Sequence, residues 1–189
     1  MVSTWLYLLF LGAVALERLY EVRVSNHNAR IAFAQGALEY GRRHYRVMVF
    51  LHSLFLPACA AEVALLHRPF PGAPGWVALT IACGSQALRY TAIRTLGERW
   101  NTRIIVLPEA PPVTGGIYRY LRHPNYVAVI AEMLAIPLIH GAWICAIAFS
   151  CANALLLTVR IRAEERALGG QWQEAFASRR RFIPGGVRG

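Results

Sequence analysis

The sequence predicts an all-α, polytopic membrane protein with about five transmembrane helices. Three observations carry this reading. The 189 residues are 56% hydrophobic, with a mean hydropathy of +0.38, more apolar than most soluble domains. Five apolar runs approach the roughly 20 residues needed to cross a bilayer. The charge is segregated, because the 20 basic residues are all arginine and crowd into alternate connections between the runs.

In chain order the expected membrane helices cover residues 4–22, 47–66, 75–96, 124–140 and 142–159, with a cytosolic tail over 160–189. Residues 1–189 read as one domain. No positive charge precedes the first run and arginines follow it, the pattern of a retained anchor rather than a cleaved signal. Gly141 separates the last two runs and predicts a tight helical hairpin. Pro137 predicts a kink in the fourth helix. Residues 108–116, rich in proline and glycine, read as loop. Residues 168–182 read as a short interfacial helix with Trp172 and Phe176 at helical spacing, and residues 184–189 as a frayed end.

The arginines set the orientation. Arg23, Arg30, Arg42, Arg43 and Arg46 lie between the first two runs. Arg99, Arg103, Arg119 and Arg122 lie between the third and fourth, and Arg162, Arg166, Arg179, Arg180, Arg181 and Arg188 follow the fifth. The other side holds only Arg68. By the positive-inside rule the N-terminus is outside and the C-terminus cytoplasmic. The net charge of +10 then suits contact with anionic membrane lipids. Nucleic-acid binding by a soluble domain is excluded, since five apolar runs would have no place to go.

Composition also limits the chemistry. With no lysine and no aspartate, a lysine Schiff base or an aspartate-dependent mechanism is excluded. Cys59, Cys83, Cys145 and Cys151 each sit inside an apolar run without a C-x-x-C pair. They read as buried free thiols rather than as disulfide or zinc ligands, and no metal site is expected.

Two polar clusters stand at helix ends on the cytosolic side. Arg122-His123-Pro124-Asn125-Tyr126 precedes the fourth run. Proline suits the first helical turn, and the free N–H groups there attract anions, reinforced by Arg122 and His123. The same residues also fit a snorkelling arginine beside a helix start signal. In the fifth helix Asn153, Arg160 and Glu164 share one face, with Glu165 next to it. Such a stripe is costly at a lipid face and should point into the bundle. A plain Arg160–Glu164 pair at a helix end is the other reading. Glu132 lies on the Asn125 face about two turns deeper. It is a candidate base, or the partner of Arg89 in a structural pair. Glu62 and Gln86 suit bundle contacts, and His44 and His52 read as ordinary helix residues.

At these residues the chain resembles the isoprenylcysteine carboxyl methyltransferase family of integral membrane methyltransferases. Residues Gly116 to Tyr126 resemble its G-x-Y-R…R-H-P-x-Y signature, and Arg160 to Glu165 its R-x-x-x-E-E signature. The resemblance implies an S-adenosylmethionine site built from Arg122, His123, Pro124, Tyr126, Glu164 and Glu165. Asn125 is counted in the same cluster, and Arg160 assists. Glu17 to Glu21, Gly36 to Tyr40 and Trp100 to Arg103 resemble a bacterial branch. Some of its members accompany type III polyketide synthases and O-methylate alkylpyrones or alkylresorcinols. Two departures stand out. Ala128 replaces a frequent glycine, and Trp172 and Phe176 replace frequent tyrosines.

The implied activity is methyl transfer from S-adenosylmethionine to a lipophilic small molecule entering from the bilayer. A phenolic or pyrone lipid is the favoured acceptor and a prenylcysteine carboxylate the alternative. Glu132 or His123 would be the base, and Arg89 or Arg160 would stabilise the acceptor oxygen. Glu132, Arg89 and Arg160 are thus the catalytic candidates. A lipid carrier or small transporter, with the charged stripes lining its path, is the competing class.

Overall fold

The computed structural model describes residues 2–108 and 110–183. The end expected to fray, 184–189, lies outside them. Five long helices form the fold: α1 (Val2–Ala34), α2 (Arg42–Leu65), α3 (Ala73–Leu96), α4 (Pro124–Leu138) and α5 (Trp143–Ala175). Two short strands, β1 (Leu38–Tyr40) and β2 (Ile104–Val106), join the connections that follow α1 and α3. α2 and α5 are long and apolar enough to cross a membrane by length and composition, whereas α4 is apolar but has 15 residues. Bulky apolar side chains such as Leu9, Leu65, Trp76 and Leu155 project from the bundle surface. Exposed apolar area on this scale is foreign to soluble monomers and natural beside lipid.

The helical hairpin is as the sequence predicts. Gly141 turns the chain at φ 69°, a left-handed conformation that glycine enters without steric cost. Pro137 makes no mid-helix kink, because α4 ends one residue later at Leu138. The N-terminus of α5 is capped from another helix. Glu62 of α2 accepts hydrogen bonds from the backbone N–H of Ile144 (3.2 Å) and Cys145 (2.7 Å), and Arg68 donates to the same carboxylate at 3.2 Å. A buried carboxylate thus satisfies two free helix-end donors. The surrounding core packs Tyr7 and Leu11 of α1 against Phe55, Cys59 and Val63 of α2 and Met133 and Ile136 of α4. Cys59 and Cys145 are buried there, but Cys83 and Cys151 are exposed on the outer surface. A thiol is apolar enough to stand on a lipid-facing position, so the apolar run did not reveal its face.

The half of the fold that carries the long connections holds contacts beyond the expected spans. α1 continues as helix twelve residues past the apolar run that ends at Val22, because its polar extension has a docking partner. Ser25 and Asn28 are buried against the connection after α3. Asn28 Nδ2 donates to the carbonyl of Trp100 at 2.8 Å. Ser25 Oγ lies 2.9 Å from Thr102 Oγ1, and Asn101 Nδ2 donates to the Ser25 carbonyl at 2.9 Å. The antiparallel β1–β2 pair, with Glu39 opposite Ile105, pins the same connection from the other side. α5 breaks at Gly169, where φ is 76°, and a short second segment runs on to Ala175, so the helix expected over 168–182 is present but ends seven residues earlier.

Replacing Glu62 with alanine strands two buried N–H groups and Arg68. The expected cost is about 1–3 kcal/mol, read as a lower midpoint in detergent unfolding, with Cys83→Ser as a neutral control. An unchanged Glu62→Ala midpoint would show that water serves the cap equally well.

Candidate active site

Pro124 occupies the first helical position of α4, where its missing N–H is no loss, and His123 stands at the N-cap without capping it. The His123 ring turns instead to α5, where Nε2 lies 3.1 Å from Glu165 Oε1. The Glu165 carboxyl is held down at about 2, first by this hydrogen bond and then by Arg181, against the opposing effect of burial. An ionised carboxylate can only accept, so Nε2 carries the proton, and in the neutral ring Nδ1 keeps the lone pair. His123 also packs between Tyr126 (ring centroids 5.3 Å) and Trp172 (5.5 Å), and Trp172 stacks on Phe176 at 4.7 Å. Trp172 and Phe176 therefore form the wall behind His123 rather than an interfacial belt.

The α5 stripe points inward as expected, with Asn153 and Arg160 buried. Arg160 is not simply paired with Glu164. Its Nε donates to Tyr126 Oη at 2.8 Å and its Nη2 to the Thr102 carbonyl at 2.6 Å. The Tyr126 hydroxyl in turn donates to Glu164. One guanidinium thereby ties α5 to α4 and to the connection that α1 holds. Glu164 also adds to the effect of burial in pushing the nearby Tyr118 phenol up.

Deeper in the bundle, Arg89 of α3 and Glu132 of α4 form the pair that the sequence allowed. Arg89 Nε donates to Glu132 Oε1 at 3.1 Å, Arg89 Nη2 donates to Oε2, and Arg18 Nη2 lies 3.2 Å from Oε1. Both oxygens of Glu132 are thus engaged with guanidinium donors. That geometry suits a structural and electrostatic part better than proton abstraction. Gln86 joins the same cluster through Glu17 and Arg18.

These groups surround a cavity of about 1430 Å³. His123, Asn125, Tyr126, Arg160, Glu164 and Trp172 border its outer end, beside the arginine-rich connections, and Arg89 and Glu132 its deep end. Val14, Val49, Phe55 and Leu56 supply apolar wall between the helices. Two buried polar atoms at the outer end, Asn125 Oδ1 and Arg160 Nη1, have no partner among the described residues.

Two members of the sequence-predicted cluster are engaged elsewhere. Arg122 donates from Nε to the Arg179 carbonyl (2.5 Å) and from its backbone N–H to the Arg180 carbonyl (3.2 Å). Arg181 returns a two-pronged contact to Glu165, 2.8 and 2.6 Å. Arg122 and Glu165 therefore clamp the segment after α5 over the site. Sequence reasoning missed this strap and the Ser25–Asn101–Thr102 lock. Neither has a periodic signal, since their contacts join residues from 16 to 77 positions apart.

The sequence pattern of the isoprenylcysteine carboxyl methyltransferase (ICMT) family matches residues 76–170, which hold both motif clusters and the helical hairpin. The chain belongs to this family. Among relatives, the uncharacterized protein YpbQ of Bacillus subtilis (strain 168) is 37% identical over 164 residues, 86% of this chain and 96% of that protein. The protein-S-isoprenylcysteine O-methyltransferase of Schizosaccharomyces pombe is 28% identical over 112 residues, 58% of this chain and 48% of that protein. The fold is similar to that of the eukaryotic intramembrane Ras methyltransferase ICMT, with a TM-score of 0.52 and 26% identity. That match covers 74% of this chain and 49% of the other. The chain thus spans about half the length of these two named methyltransferases. Membership agrees with the apolar surface of the bundle, as the family is one of integral membrane proteins.

The strap makes a pH prediction. Glu165 is held at about 2 against an ordinary 4.5, first by His123 and then by Arg181, and the Arg181 part of that lowering belongs to strap docking. A lowered carboxyl stabilises docking fully above the free value and loses that contribution as pH falls through the docked one. Hydrogen exchange of residues 177–182 should therefore be slow at pH 6 and lose protection, relative to an intrinsic-rate control, between about pH 4.5 and 2. Arg181→Gln should move the loss to higher pH. A profile unaffected by that substitution would contradict the clamp.

Proposed function

We propose that the protein is an S-adenosylmethionine-dependent methyltransferase acting on a lipophilic acceptor, with five membrane-spanning helices and the cofactor site on the cytoplasmic side. The observation that carries this reading is the meeting of His123, Tyr126, Arg160 and Glu164 at the outer end of a cavity that runs on between apolar helices. Family membership supports methyl transfer. The arginine-rich connections support a cytoplasmic site, with the N-terminus outside.

The residues suit the cofactor's chemistry. It carries a carboxylate, an ammonium, ribose hydroxyls and an adenine ring, and when bound it supplies an activated methyl on sulfonium sulfur. The α4 N-terminus and the free Arg160 Nη1 offer donors for an anionic or carbonyl oxygen. Glu164 and Asn125 Oδ1 offer acceptors for ammonium or hydroxyl groups. The His123–Trp172 wall offers a flat apolar surface. Glu165 acts through His123, by fixing its ring, and Arg122 through the strap. Transfer to an acceptor oxygen requires in-line positioning in a water-poor space, which the strap and the buried wall provide.

A phenolic or pyrone lipid is the favoured acceptor, as the N-terminal motifs suggest, with a prenylcysteine carboxylate as the alternative suggested by the named yeast relative. A phenol has an ordinary pKa near 10 and gains from a base. The Nδ1 lone pair of His123 is better placed for this than Glu132, whose oxygens are occupied. Arg160 stabilises the developing oxyanion.

Calorimetric titration with S-adenosylhomocysteine in detergent tests the cofactor site. Wild-type protein should bind it, and His123→Ala and Glu164→Gln should each weaken binding about tenfold or more, in line with loss of a charge-assisted contact, while both variants still fold. Absence of binding by well-folded wild type would favour a carrier or transporter. Methyl transfer from labelled cofactor should occur to an alkylresorcinol or alkylpyrone; transfer to prenylcysteine alone would overturn the acceptor preference.

A further inference from the structure

The deep wall of the cavity is short of hydrogen-bond donors. Around it Glu17, Glu21 and Glu132 meet two guanidinium groups, Arg18 and Arg89, so these formally charged groups sum to one excess negative charge, and the Gln86 amide donates to Glu17, which stands behind the wall. Glu21 Oε2 is taken by Arg18 Nη1 at 2.7 Å, with Arg89 Nη1 at 3.7 Å. Glu21 Oε1 is buried and has no partner among the described residues, although Glu21, 5% exposed, borders the cavity.

α2 contributes further acceptors to the same deep part of the cavity. His52 Nδ1 lies 2.9 Å from the Met48 carbonyl. A carbonyl only accepts, so Nδ1 carries the proton, and the neutral ring keeps its lone pair on Nε2, which makes no hydrogen bond among the described residues. His52 borders the cavity within electrostatic reach of Arg89, Arg18 and Glu132. One turn on, Pro57 has no N–H to give the Ser53 carbonyl, and both residues border the same space. Three acceptors without protein donors thus converge on one wall, where an unsatisfied polar group is expensive.

We propose that this wall is a second recognition subsite. It holds a hydrogen-bond-donating group, hydroxyl or ammonium, that the lipid acceptor carries apart from its methylated atom. The proposal rests on the methyltransferase reading for the word acceptor, but the subsite itself rests only on Glu21, His52 and Ser53. Tyr126 and Glu132 are six residues apart on α4, so the subsite lies roughly 9 Å deeper than the outer end. The ligand it fits is a lipid with two separated polar groups. A carboxylate there would meet excess negative charge and no free donor.

The test uses full-length protein in detergent and native mass spectrometry against an equimolar mixture of 1-dodecanol, dodecylamine, dodecyl methyl ether and dodecanoate. The alcohol or the amine should form adducts at least about fivefold more often than the ether and the carboxylate, the size of one hydrogen bond. Which of the two dominates separates hydroxyl from ammonium recognition. Glu21→Gln and His52→Phe should each bring the preference below about twofold. His52→Phe guards against misfolding, because the His52 ring bonds only within its own helix. Equal adducts with all four in wild type, or an unchanged preference in both variants, would overturn the subsite. S-adenosylhomocysteine binding in the same preparations separates the two claims. Its loss in wild type defeats the methyltransferase reading, whereas its retention beside equal adducts defeats only the subsite.

Discussion

The buried guanidinium of Arg160 holds the two halves of the site in register. It reaches Tyr126 on one side and the Thr102 carbonyl on the other, from a position 4% exposed. Removing such a group from water is costly unless its donors are matched. The matching partners come from separate parts of the chain. Thr102 is placed by Ser25 of α1, whose Oγ accepts from the Thr102 N–H at 3.0 Å, and Tyr126 by the first turn of α4. The polar extension of α1, the β1–β2 pair and the loop after α3 therefore serve one end, which is to present a carbonyl to Arg160.

A second constraint comes from the lipid surroundings. Charges inside a bundle must find one another or line a cavity. Most of the buried charges here do both, as Glu132, Arg89 and Arg18 show. Glu62 is the case without a cavity, and it spends its charge on a helix end. Of the ten buried side-chain polar atoms without a partner among the described residues, four, Glu21 Oε1, Trp100 Nε1, Asn125 Oδ1 and Arg160 Nη1, belong to residues on the cavity wall, whereas those of His44, His140, Ser150, Asn153 and Arg179 do not. Polar groups left without partners at such positions are what a binding site looks like before its ligand is counted.

Much of this was legible in the sequence. Helix-length apolar runs and Gly141 forecast the five helices and the hairpin. The i, i+7, i+11 spacing placed Asn153, Arg160 and Glu164 on an inward face, and the polar residues before α4 marked its mouth. Contacts that depend on distant partners were not legible. The spacing of Arg160 and Glu164 suggested an i, i+4 pair, whereas Arg160 chose Tyr126 and Thr102. Arg122 looked like an anion ligand, yet its donors go to carbonyls of the strap. The helical extension of α1 past its apolar run was not legible, because the docking surface that supports it is written in residues 97–103. Strands three residues long leave no periodic trace at all.

The central claim is that the outer end of the cavity is the cofactor site. The most direct measurement is an experimental structure of the full chain bound to S-adenosylhomocysteine. The account predicts ligand density against His123, Tyr126 and Glu164, with Arg160 still bridging Tyr126 and Thr102. Density seated elsewhere on the protein, with this end of the cavity unaltered, would contradict it.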